Sequence, residues 1–172
     1  MTDRVLRAAL ALQDCEDWDS VARVATEGLK LVVGASEAIW SEFSPDRSSS
    51  LWCQCADAEN RDFMRANDQG RVDGAVELGG YYRAVGSFVM GRSDDIPQLS
   101  DFFREEEIRE LDFYRNFVEP VGGLHLLSIQ AHFSDDGGCA ILSATRPDRP
   151  LDAEELRLLA TFRGHVRAAC RR

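Results

Sequence analysis

The chain has 172 residues, 44% of them hydrophobic, with 20 Lys and Arg against 30 Asp and Glu for a formal net charge of −10. That length suits one domain, residues 1–172, which can bury a core without staples, and nothing in it reads as a low-complexity tract. The acidic balance, with no basic stripe, excludes nucleic acid as a partner of this chain alone, and the charges spaced through Met1 to Leu12 exclude a signal peptide or a membrane span there, so a cytoplasmic protein is expected.

In chain order, Val5, Ala9 and Leu12 mark a first short helix. After Asp17, Val21, Ala25, Leu29 and Val32 recur at three- and four-residue intervals, which predicts a second helix ended by Gly34. From Glu37 to Phe43 the pattern shortens to alternation, and the polar stretch 44–49 followed by Leu51 to Cys55 completes a β-hairpin. The region from Asp57 to Gly91 is irregular, with a polar segment of helical character near Glu59 to Asn67 and a short helix expected around Tyr81 to Val85. Asp95 to Leu99 contains Pro97, which cannot donate to a ladder, so a strand here belongs at a sheet edge. Ser100 and Asp101 are placed to cap a helix whose first turn carries Glu105, Glu106 and Glu107, where negative charge meets the positive end of the macrodipole. Ile108, Leu111, Tyr114 and Phe117 form its stripe, and Pro120 with Gly122-Gly123 stops it. Leu124 to Phe133 and Cys139 to Thr145 read as two central strands joined by the Gly-containing turn 134–138. Asp152 and Glu155 then open a last helix with Leu156, Leu159, Phe162, Val166 and Ala169 on its inner face. This order predicts an α+β fold with a five- or six-stranded antiparallel sheet.

The candidate chemistry is sparse. Five cysteines without regular spacing do not make a secreted disulfide framework and are expected as mostly reduced thiols. Cys53 and Cys55 would share one face of a strand, yet metal binding needs further ligands, and buried cysteine is the commoner fate. His125 and His132 are seven residues apart on one strand, an odd spacing that sends them to opposite faces. An isolated His125 is read as a hydrogen-bonded structural residue rather than a haem or metal ligand. Glu105, Glu106 and Glu107 project about 100° apart on a helix and so do not converge on one ion. Gly79-Gly80, Gly122-Gly123 and Gly137-Gly138 lack phosphate-binding spacing, and no nucleophile-elbow, zinc-protease or C-x-x-C motif appears. No catalytic residue, metal site or cofactor is expected, and the chain reads as a non-enzyme.

The stretch Leu99-Ser100-Asp101-Phe102, the run Glu110-Leu111-Asp112-Phe113-Tyr114, and Phe117-Val118-Glu119-Pro120-Val121-Gly122 with His125 resemble the GAF domain that precedes the helix-turn-helix in actinobacterial LuxR-type transcription regulators. Ala140 to Arg146 and Glu154 to Leu159 continue the likeness, which covers residues 75 to 170 and the first hairpin only loosely; it departs at Gly79-Gly80. The resemblance implies a GAF/PAS-like sheet with the terminal helices on one face and short middle helices on the other. It also implies a bacterial sensory domain that controls a DNA-binding domain lying beyond the chain end.

Aromatic residues cluster in the first hairpin and the middle of the chain, where such a fold would close a small-molecule site between the sheet and the middle helices. Alternation along Leu124 to Phe133 sends His125, Leu127, Ile129, Ala131 and Phe133 to the helix-packed core and Leu126, Ser128, Gln130 and His132 to the other side. The expected ligand-binding set is therefore Trp40, Trp52, Tyr81, Tyr82, Phe113, Phe117, Leu126, Ser128 and Gln130. Rival readings are rings that simply fill a second core, a thiol reductase using Cys53, Cys55 or Cys139, and a ligand-free interaction module. The last helix leaves Leu158, Ala168 and Cys170 off its inner stripe, so a homodimer through the terminal helices, with Val5, Leu6 and Leu10 of the first helix, is expected.

Overall fold

The computed structural model describes residues 2–43, 50–66, 96–133 and 138–172; within these, the side chains of residues 2, 50–53, 64–66 and 133 are left aside. Helix α1 spans Thr2–Gln13 and α2 spans Trp18–Val33. The N-terminus of α2 is closed by a reciprocal cap, in which the Asp17 carboxylate accepts from the Ser20 backbone at 2.7 Å while the Ser20 hydroxyl accepts from the Asp17 backbone. Gly34 ends it in the left-handed region at φ 64°, donating its N–H to the Lys30 carbonyl. Strands β1 (Glu37–Phe43) and β2 (Ser50–Cys55) form the first hairpin, followed by α3 (Ala58–Ala66). Strands β3 (His125–Phe133) and β4 (Cys139–Arg146) form the second, and the last helix, here labelled by its range Ala153–Cys170, is capped by Asp152, which accepts from the backbone of Glu154 and Glu155.

The sheet is antiparallel throughout in the order β2-β1-β4-β3; the described residues supply four strands, and a fifth or sixth is not shown among them. Of the edge strand expected at Asp95–Leu99, the described residues show one bridge, Gln98 to Leu127, at the outer side of β3. Gln98 is buried and its carboxamide accepts from the Leu151 N–H at 2.6 Å and donates to the Leu151 carbonyl at 3.1 Å, which ties this edge to the start of the last helix.

The single middle helix expected after Ser100 is in fact broken. Residues Leu99–Asp101 make a 3₁₀ turn, a six-residue helix α4 runs over Glu105–Glu110, and Tyr114–Val118 form a π-helical turn followed by a 3₁₀ turn at Glu119–Val121. The backbone enters α4 at Arg104, whose N–H is met by Glu107 at 2.7 Å; of the two expected caps, Asp101 instead closes the earlier turn by accepting from the Gln98 N–H at 2.9 Å, and Ser100 lies inside that turn. Leu111 is extended at φ −64° and ψ 133°, which ends α4. Pro120 then clashes with a regular α-helical continuation, and the chain widens to i→i+5 bonds such as Glu119 N–H to Tyr114 carbonyl.

The two faces of the sheet carry separate cores. On one, α1, α2 and the last helix cover Ala38, Trp40, Leu127, Ile129, Ala140, Leu142 and Ala144, with Leu29, Leu159, Phe162 and Val166 among the fully buried helix residues. Gly28 lets these helices approach: a Cβ there would lie 3.0 Å from the Phe162 ring and 3.1 Å from Ala8. The expected dimer surface is altered by this packing. Val5 is buried in the core of its own chain, and Leu158 and Cys170 pack partly against it, while Leu6 and Leu10 stay 60% and 52% exposed. The middle segments α3 and 99–121 cover the other face, so the layer assignment drawn from the resemblance holds.

Alternation in β3 is interrupted by a bulge. Gln130 pairs with Ile141 but His132 pairs with Ala140, leaving Ala131 as the extra residue. His132 is thereby turned to the helix face, where its ring lies 5.0 Å from that of Trp18. The expectation that His132 faces away from the helices fails for this reason.

Candidate functional site

The site is the sheet face under α3 and the 99–121 segment. Register sets its floor in rows: Cys55, Ile39, Ser143 and Ser128 lie side by side across the four strands, and the next row runs Cys53, Ser41, Ile141 and Gln130. Ser41, Ser128 and Gln130 are buried, and the Ser128 and Ser143 hydroxyls sit 2.9 Å apart. Neither row contains a carboxylate, an amine or a guanidinium, so the floor is polar without being charged.

The roof is aromatic and aliphatic. Phe113 and Phe117 stack at 5.6 Å with ring planes 12° apart, and Phe63 of α3 tilts against Phe117 at 6.4 Å. Leu99, Ile108, Val121 and Leu124 complete the cluster. At its rim the Arg109 guanidinium donates to the Tyr114 hydroxyl at 3.4 Å and pairs with Glu105 at 2.7 Å.

A buried carboxylate holds the roof in place. Glu37 has no exposed surface, and its Oε1 accepts from the backbone N–H of Ala38 at 2.8 Å, Ala56 at 3.0 Å and Asp57 at 3.3 Å. Its Oε2 accepts from Asp57 at 3.3 Å and from the Asn60 carboxamide. The turn from β2 into α3 is thus pinned on the first residue of β1, and α3 in turn lays Phe63 on Phe117.

Of the expected ligand set, Phe113, Phe117, Leu126, Ser128 and Gln130 come together on this face. Trp40 does not: it is fully buried in the helix-face core, because β1 alternates and Trp40 falls between Ile39 and Ser41 on the opposite side. The backbone of Trp52 pairs with Glu42, away from the two rows of the floor. Tyr81 and Tyr82 lie outside the described residues. Sequence reasoning missed Phe63, Ser143 and Glu37. Ser143 was findable as the cross-strand partner of Ser128, whereas Glu37 looks in sequence like an ordinary polar strand start.

His125 sits at the base of β3 opposite Arg146. Its Nδ1 is buried and has no hydrogen-bond partner among the described residues. Burial pulls its pKa below the ordinary 6.5, against the opposing pull of Glu105 and a hydrogen bond with the Asp148 backbone. Among the described residues no group of three or more His, Cys, Asp or Glu side chains could hold a metal ion, and no helix is long and apolar enough to cross a membrane.

The chain is similar over 98% of its length, and 92% of the other, to the crystal structure of CepR2 from Burkholderia cenocepacia, an N-acylhomoserine lactone dependent LuxR-family transcription factor, at 15% identity and a TM-score of 0.64. This chain shares its fold. Escherichia coli SdiA aligns with a TM-score of 0.57 at 12% identity, over 98% of this chain and 67% of the other. The far-red absorbing dark state of JSC1_58120g3 with bound biliverdin IXa aligns at 0.54 and 12% identity, over 97% of each. No family model and no curated protein matches the sequence.

Proposed function

We propose that this chain is a GAF-like, ligand-sensing regulatory domain of a LuxR-type regulator, which binds an uncharged small molecule between the sheet and the 99–121 roof and performs no chemistry on it. The observation that carries this reading is the floor itself: the Ser128–Ser143 hydroxyl pair and the Gln130 carboxamide lie among aromatic and aliphatic side chains. Apolar walls with a few placed polar groups are the usual design of a small-molecule site. A charged ligand head would find no counter-charge in the two floor rows, and burying an unpaired charge is costly. Fold likeness to an N-acylhomoserine lactone dependent factor and to a biliverdin-bearing chain supports the sensory reading. In the proposed regulator the signal passes to a DNA-binding domain through the terminal helices, which pair two copies of the chain.

Thermal shift and native mass spectrometry test this reading with an uncharged N-acylhomoserine lactone as the probe and biliverdin, whose two propionates are ionised at neutral pH, as the charged contrast. A probe at a hundredfold excess over its Kd stabilises the folded chain by about 2.7 kcal/mol. We expect the lactone to raise the melting temperature more than biliverdin does, and Ser143→Ala or Gln130→Ala to reduce the rise. Binding that is indifferent to both substitutions would place the ligand elsewhere, and no shift with any uncharged member of a wider set would remove the reading.

A further inference from the structure

The opposite face of the sheet carries an arrangement that the ligand reading does not use. Trp18, the first residue of α2, donates its indole N–H to Glu42 Oε1, and Trp40 donates to the same oxygen at 3.0 Å. The rings of Trp18 and Trp40 meet edge to face at 5.5 Å, and Trp18 meets His132 in the same way at 5.0 Å. Ala140 pairs with Glu42 on one side and with His132 on the other, so it lies between them in the sheet. An alanine there leaves room for the Trp18 ring, which bridges Glu42 and His132 and seats the start of α2 on the sheet.

His132 reaches Trp18 only because Ala131 is an extra residue in β3. Two residues apart in an unbroken strand, Gln130 and His132 would share a face. The bulge instead puts Gln130 on the site floor and His132 on the helix side, with only Ala131 between them. Among the described residues the outer edge of β3 makes one bridge, further back at Leu127. Bulges re-aim side chains and disrupt the ladder locally, so the peptide planes around Ala131 are freer to turn than those of a regular ladder.

We infer that the Ala131 bulge couples the floor of the site to the helix layer, with Gln130 as the input and the His132–Trp18 contact as the output. The inference rests on the proposed site only for what would displace Gln130; the coupling itself is a property of the ligand-free chain. A shift of Gln130 turns the bulged peptides, moves the His132 ring against Trp18, and changes how α2 starts. Helix α2 packs on α1 and on the last helix, so the whole terminal layer receives the change. Gln130 is a positioning residue in this scheme, and so is His132.

The test uses the whole chain without any ligand. Its three tryptophans give three indole N–H signals in a proton–nitrogen correlation spectrum, assigned with Trp18→Phe, Trp40→Phe and Trp52→Phe. Gln130→Ala is expected to displace the Trp18 signal by several linewidths. Ser128→Ala, on the same face but before the bulge, is expected to leave it within one. In a His132→Ala background, Gln130→Ala should no longer move it. Should Gln130→Ala fail to fold, Gln130→Met keeps the shape and is read in the same way. An unmoved Trp18 signal, equal displacement by Ser128→Ala, or displacement that persists without the His132 ring would each overturn the coupling. A failed ligand screen would leave these results standing, and a failed coupling would leave ligand binding standing.

Discussion

Replacing Glu37 tests whether a buried carboxylate organises the roof of the site. In Glu37→Ala the Ala56 N–H keeps a second acceptor, the Ala38 carbonyl at 2.9 Å, but the Asp57 N–H and the Asn60 carboxamide lose the oxygens they point to. Hydrogen bonds to a charged group contribute about 1.5–3 kcal/mol each, and a deleted side chain in a site with no exposed surface leaves a void as well. Two such bonds give an expected loss of about 3–6 kcal/mol, a large part of the roughly 5–15 kcal/mol that holds a domain folded. Glu37→Gln keeps the shape and one acceptor oxygen but turns a donor toward donors, so about 1–2 kcal/mol is expected. Urea unfolding at neutral pH reads both as a lower midpoint at unchanged slope. Hydrogen exchange should show the amides of α3 losing protection before those of β3 and β4. A loss below about 1 kcal/mol for Glu37→Ala, or equal losses for Ala and Gln, would refute the assignment.

Gly28→Ala should lower stability by about 1–2 kcal/mol, because overpacking against Phe162 and Ala8 outweighs a helix-propensity gain of up to about 1 kcal/mol; thermal unfolding checks it. Gly164→Ala, with nothing within 4 Å of its Cβ, should instead stabilise the last helix by several tenths of a kcal/mol to about 1 kcal/mol. The lowered His125 pKa means the unfolded chain binds that proton more tightly than the folded one. The penalty is absent above the ordinary value of 6.5 and grows as the pH falls through 6.5 toward the folded value, so urea midpoints for wild type should drop across that window and those for His125→Gln should drop less. Leu6→Glu with Leu10→Glu should turn a homodimer at tens of micromolar into a monomer by sedimentation, and a monomeric wild type would remove this interface.

Much of the scaffold was legible because its signals are local. Gly34 needs the left-handed region that ends α2, and Asp152 with Glu155 spells a helix start; both are properties of a few adjacent residues. The first hairpin was bounded correctly at Glu37–Phe43, since alternation there is broken on either side by turn residues. The middle helix misread had a different origin. Ile108, Leu111, Tyr114 and Phe117 do carry a helical period, but Pro120 forbids the regular continuation and an extended Leu111 had already ended α4. Three of those four side chains, Ile108, Tyr114 and Phe117, are buried in the second core as the period requires, although the backbone between them is not one helix.

The site was only half legible for a reason that follows from the sheet being covered on both sides. When one face of a strand is wet, period two says which residues point inward; β1 is packed on both faces, so Trp40 and Ile39 are each apolar and alternation alone cannot say which of them meets a ligand. Proximity of aromatic residues in sequence then misleads, because neighbours on a strand face apart. In β3 the mixed row of Leu126, Ser128 and Gln130 did carry a usable contrast with Leu127 and Ile129, and the assignment of that row held up to the bulge. Beyond it one unpaired alanine reverses His132, and Ala131 carries none of the glycine or proline marks by which a break is usually read. The residue that failed the count, His132, is the one that joins the strand to Trp18. A local rule that breaks without a local cause is where a long-range requirement has overridden it. Here the requirement is that one strand serve two differently packed faces, and the bulge lets Gln130 and His132, two positions apart, answer to one face each.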